Sequence, residues 1–62
     1  MTNNIEITER NGFFDGIRSE RPATGGARVT VAQLHRVSKA KRDAYLRGFQ
    51  AGAEFERRAK AR

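Results

Sequence analysis

The sequence predicts a small, mainly helical α+β unit, and three observations carry that expectation. The stretch Ser38 to Arg62 has no proline and no β-branched residue, and it carries Tyr45, Phe49 and Phe55 at helical spacing. Thr30 and Gln33 stand in a capping-box pattern ahead of a short apolar edge. Residues 5–17 alternate apolar and polar side chains before an Asn-Gly pair, the pattern of a β-hairpin. The expected layout is a single domain over residues 1–62. It places a hairpin or extended arm at 5–17, a linker at 18–28, a short helix at 30–37 and a long helix at 39–61, the whole closed by homodimerisation.

In the first segment, Ile5 and Ile7 alternate with Glu6 and Thr8, Asn11-Gly12 supplies the turn, and Phe13-Phe14 opens the return strand. Pairing through that turn puts Phe14 with Ile5 and Ile7 as a core residue and sends Phe13 to the opposite, exposed face. An isolated hairpin is marginal in water, so this one must lie on the helices or join another strand. An extended arm with a turn is the competing description.

The segment from Ile17 to Arg28 reads as a connector, because Pro22 disfavours a helical Arg21 and Gly25-Gly26 is a pair of breakers. It is not a phosphate-cradling loop: the GxxxxGK[ST] pattern is missing. At Thr30 the start signals are more complete, since Val29 and Leu34 also occupy the positions of a hydrophobic staple. Val31, Leu34 and Val37 form one apolar edge, and Ser38 can cap the next helix. A single continuous helix from Val31 onward is the alternative, but it would set Ser38 and Lys41 in the middle of its seam.

On a helical wheel the long segment has a narrow polar arc and an apolar arc of roughly 220°, interrupted by Lys41, Glu56 and Lys60. A surface helix needs a stripe of only a little over ~100°. The helix is therefore expected to bury two sides. Gly48 and Gly52 each cost about 1 kcal/mol relative to alanine in a helix, and their spacing makes a groove that admits a second backbone. That backbone can come from the chain's own N-terminal part, from a second copy or from a partner protein. In the second case Tyr45, Gly48, Phe49, Gly52 and Phe55 form the dimer interface.

Sixty-two residues without cysteine can form neither a disulfide nor a cysteine-containing zinc site. A domain of this size buries only ~60% of its unfolded surface, and association is a common remedy. No apolar run reaches membrane-spanning length, and MTNNIEITER has neither the basic start nor the apolar core of a signal peptide. The cytoplasm is the expected location. Residues 1–27 carry three basic and four acidic side chains, whereas residues 28–62 carry ten basic and three acidic. That asymmetry points to an anionic partner for the C-terminal half, either nucleic acid or an acidic protein surface.

Catalysis finds no paired groups of separated acidity. Asp43–Arg47, Glu54–Arg58 and Glu56–Lys60 stand in the acid-first spacing of helix-stabilising pairs, and His35 is a lone histidine on a short helix. The chain is expected to be non-enzymatic, with no cofactor and no metal. Lys39, Lys41 and Arg42 crowd the first turn of the long helix, where the helix dipole favours acids. With Arg36 and Phe13 they are the expected partner-binding residues.

The run Arg47-Gly48-Phe49-Gln50-Ala51-Gly52, preceded by Tyr45, resembles a segment of ribosome modulation factor, a small basic bacterial protein that binds the ribosome. The likeness spans six residues of 62. In that family the segment lies near the N-terminus, ahead of a second helical half; here it lies in the C-terminal half. The serine-capped helix pair and the Ala44-Tyr45…Gly48-Phe49…Gly52 pattern also look like the very small early proteins of temperate phages. Among these is the quorum-sensing anti-activator type, compact helical dimers that inhibit host proteins. That resemblance implies binding and inhibition of a host protein such as a transcription regulator. The first resemblance, with the basic turn, implies RNA, DNA or ribosome binding.

Overall fold

The computed structural model describes residues 5–61, and within them the chain is helical. Helix α1 spans Glu9–Ser19, a 3-10 turn spans Pro22–Thr24, α2 spans Val31–His35 and α3 spans Lys39–Lys60. The first four residues and Arg62, one of the cations of the basic half, lie outside that range.

The N-terminal segment corrects the hairpin reading. Residues 9–19 form a helix, and no strand occurs among the described residues. Thr8 is the N-cap: its hydroxyl accepts from the Asn11 amide N–H at 3.1 Å, and Glu9 complements the dipole in the first turn. The Asn11 side chain reaches back to the Glu6 carbonyl at 2.8 Å, so it braces the entry of the helix rather than forming a turn. Phe14 is consequently 44% exposed and not a core residue. Phe13 is half-buried, with its ring centroid 5.8 Å from that of Phe55.

What makes a glycine-bearing α1 stable is α3. A methyl group on Gly12 would overlap the carbonyl oxygen of Tyr45, and one on Gly16 that of Phe49. Reciprocally, a methyl on Gly48 would overlap the Glu9 carbonyl, and one on Gly52 the Phe13 carbonyl. The contacts ascend together along both helices, so α1 and α3 run parallel. They are also reciprocal: Gly12 and Gly16 each meet the residue three before their counterparts Gly48 and Gly52, and Gly48 and Gly52 each meet the residue three before Gly12 and Gly16, so the two Gly-Phe-x-x-Gly segments face each other as a local two-fold repeat. Small residues four apart let two helix backbones meet closely, as in membrane helix pairs, and here the two partners belong to one chain. The groove that could have received a second copy is filled by α1.

A parallel pair needs a crossover running back along its length, and residues 20–38 provide it. Arg18 holds the crossover's start: its guanidinium donates to the Thr24 carbonyl at 2.7 Å and to the Gly26 carbonyl at 3.0 Å. Gly25 and Gly26 take φ of 87° and 82°, left-handed values that suit glycine. At Thr30 both halves of the capping box form. Ser38 ends the crossover by accepting from the Lys41 amide N–H at 3.3 Å as the N-cap of α3.

The resulting body is 15 Å thick in its smallest dimension, little more than one helix diameter. Among the described residues, the buried apolar side chains are Val29, Tyr45 and Ala53. No helix there is long and apolar enough to cross a membrane.

Candidate functional site

The crossover lies on one side of the α1–α3 contact, and a single carboxylate fastens it there. Asp15 is wholly buried. It accepts from the Tyr45 hydroxyl at 2.6 Å, from Arg28 Nε at 3.1 Å and from the Val29 amide N–H at 3.2 Å. Burial alone would raise the Asp15 pKa, but the donors from Tyr45, Arg28 and Val29 outweigh it and hold the carboxyl below its ordinary value. Burial pushes the Tyr45 hydroxyl the other way, well above the ordinary tyrosine value, and the Asp15 charge adds to the effect. With one donor on Oδ1 and two on Oδ2, Asp15 works as a strut. No buried side-chain nitrogen or oxygen among the described residues lacks a partner.

A second non-local pair closes the other end of the helices. Arg21 grips Glu56 with two bonds, of 2.6 and 3.1 Å. Hydrogen bonding to Arg21 lowers the Glu56 pKa against the opposing effect of burial. Glu56 is thus committed to Arg21 rather than to Lys60, whose ammonium donates to the Glu20 carbonyl. Of the three pairs expected within α3, Glu54–Arg58 forms, at 2.5 Å. Arg47 has Glu9 of α1 as its charged neighbour, at 3.9 Å.

Fastening the crossover shapes a groove between it and α3. Ala27, Val29, Val31, Leu34, Tyr45, Leu46 and Phe49 line a space of about 250 Å³, almost wholly with carbon. Val31 is 70% exposed and Leu46 43% exposed on its rim, while Leu34 and Phe49 are half-buried. The α3 wall of this groove continues into cations. Arg42 lies one turn before Leu46, and Lys39 one turn before Arg42.

The sequence-selected residues are distributed over distinct places. Arg36, Lys39 and Lys41 are exposed, Arg42 is half-buried, and none of the four forms an ion pair among the described residues. Gly48 and Gly52 face α1, Tyr45 is in the Asp15 network, and Phe49 lines the groove. Phe55 lies with Phe13 and Phe14 on the other side of the helix pair, 58% exposed, where Arg10 stacks over Phe14 at 5.8 Å. The sequence reading gave Gly12 to a hairpin turn and passed over Gly16, Asp15 and the Arg21–Glu56 pair. The recurrence of Gly-Phe-x-x-Gly at residues 12–16 and 48–52 was the available signal for the first two. Comparison with known protein families, with curated proteins and with solved structures found no match for this chain.

Proposed function

We propose that this chain is a non-enzymatic binding module whose target is a protein, and that it inhibits that protein by occupying one of its surfaces. The observation that carries the reading is the carbon-lined groove between the crossover and α3, open at Val31 and Leu46. At about 250 Å³ it is smaller than the ~300–1,000 Å³ of ordinary small-molecule sites. It suits a few anchoring side chains of a partner, where a handful of residues carry most of the affinity. A phage origin and a host regulator as the target follow the resemblance in size and layout to small phage takeover proteins. Homodimerisation belongs to the same proposal, but on the Phe13–Phe14–Phe55 side, since α1 occupies the glycine groove. Affinity capture from nuclease-treated bacterial lysate tests the main reading. Recovery of one defined protein is expected, and loss of all capture on nuclease treatment overturns it.

A second reading has its own observation. Between Glu20 and Asp43 the chain carries Arg21, Arg28, Arg36, Lys39, Lys41 and Arg42 and no acidic residue. Arg21 and Arg28 are paired with Glu56 and Asp15, which leaves Arg36, Lys39, Lys41 and Arg42 for phosphate contacts, and the exposed Phe14 and Phe55 are aromatic surfaces on which bases stack. Binding of RNA, DNA or the ribosome is the alternative function.

A further inference from the structure

We infer that the groove between the crossover and α3 receives an amphipathic helix whose apolar face is flanked by acidic side chains. This rests on the protein-target reading and specifies the target's chemistry. The floor and rim supply apolar surface from Val29, Val31, Leu34, Leu46 and Phe49. One wall belongs to the acid-free segment between Glu20 and Asp43. On α3 the same stripe that presents Leu46 and Phe49 begins with Lys39 and Arg42. Its one buried acid, Glu56, is already neutralised by Arg21 at 2.6 Å. A helix laid in such a groove inserts anchors one turn apart. Arg36, Lys39 and Arg42 form no ion pair among the described residues and outnumber the one nearby free acid, Asp43, one turn before Leu46, so carboxylates beside those anchors are attracted and lysines repelled.

The probe is a synthetic helical peptide of about 18 residues, long enough to hold a helix, with Leu and Phe along one face and Glu on the flanks. Its control carries Lys in place of every Glu. Titrated into the full chain and followed by amide shifts, the acidic peptide should perturb Val31, Leu34, Leu46 and Phe49 and weaken as salt rises. The lysine peptide should bind at least about tenfold more weakly, a difference of about 1.4 kcal/mol. Leu46→Glu, at an exposed position that leaves the helices' circular dichroism unchanged, should weaken the acidic peptide at least about tenfold. No binding, equal binding of the two peptides, or shifts centred on Phe14 and Phe55 would overturn the inference. So would Leu46-dependent binding of single-stranded RNA or of anionic phosphatidylglycerol vesicles in place of the peptide. Lysate capture separates the two claims. A protein held equally by wild type and Leu46→Glu removes the groove while leaving the protein-target reading. Peptide binding without any captured protein does the reverse.

Discussion

The Tyr45 hydroxyl donates to the Asp15 carboxylate at 2.6 Å, and both side chains are out of contact with solvent. This bond joins α3 to α1, and through Arg28 and Val29 it ties the crossover to both. A chain of this length has a total stability of only about 3–9 kcal/mol. Removing one partner of a buried, charged network costs up to about 3–5 kcal/mol, a large share of that total, so Asp15→Ala should lower Tm sharply, and by more than Tyr45→Phe does. Tyr45→Phe keeps the ring and loses one bond to a charged acceptor, worth about 1.5–3 kcal/mol. It should fold with a lowered Tm. The pH dependence follows from the same groups. Asp15 and Glu56 bind protons more weakly folded than unfolded. Their stabilisation is therefore complete above the unfolded values of 3.8 and 4.5, and it is lost as pH falls through the lowered folded values. Tyr45 is raised, so its contribution is complete below the unfolded value of 10.0 and declines as pH rises beyond it. Tm should fall on both sides, and Tyr45→Phe should remove the alkaline loss that tracks tyrosinate absorbance. The chain has one tyrosine, so that signal is unambiguous.

The glycine seam gives a signed prediction. Alanine in an open helix position would gain about 1 kcal/mol over glycine. At Gly52, however, the added methyl meets backbone atoms of Phe13, which cannot rotate away. Overpacking of this kind costs about 1–3 kcal/mol. Gly16→Ala and Gly52→Ala should each lower the denaturation midpoint, whereas Gly25→Ala, with open space but φ of 87°, tests backbone strain alone. A raised midpoint for Gly52→Ala would mean that α1 does not lie where it is described.

On the uncovered side, Phe14 and Phe55 are the exposed aromatics and Phe13 bridges them. Phe14→Ala should shift Tm little, and Phe13→Ala more, because Phe13 loses its packing on Phe55. Light scattering coupled to gel filtration should show a dimer that Phe55→Glu converts to a folded monomer. A wild-type monomer at micromolar concentration would remove the dimer from the proposal.

The nucleic-acid alternative is tested at the first turn of α3. If Lys39, Lys41 and Arg42 contact phosphates, affinity should fall log-linearly with salt, and replacing all three with glutamine should flatten the slope by ~2–3 units. Gel shifts at several salt concentrations measure this. An unchanged slope, or no binding at low salt, counts against phosphate contact by these residues.

The helical half of the fold was legible where its signals are local. The Thr30–Gln33 box and the Ser38 cap each act within one turn, and both form. The N-terminal helix was not legible, because the alternation of Ile5, Glu6, Ile7 and Thr8 and an Asn-Gly pair gave a local strand-and-turn signal. Gly12 and Gly16 become favourable in a helix only against a partner backbone far along the chain. The same non-locality hid Asp15 and Glu56. Their partners Tyr45 and Arg21 lie 30 and 35 residues away, and Arg21 took Glu56 from the expected in-helix pairing with Lys60. The wide apolar arc of α3 was legible as a need to bury two sides. Its identity as one intramolecular seam and one open groove depended on where α1 lay.

The seam, the Asp15 network and the groove all require α1 and α3 to be parallel, and distance measurement between paired spin labels tests that most directly. The chain has no native cysteine, so cysteines can be introduced in pairs at exposed positions: Ser19 with Ala61, and Ser19 with Lys39. Parallel packing places Ser19 near the end of α3, predicting a separation on the order of 15 Å to Ala61 and roughly 25 Å to Lys39, from the helical rise per residue and ordinary interhelix spacing. The reverse order, or equal distances, would contradict the account.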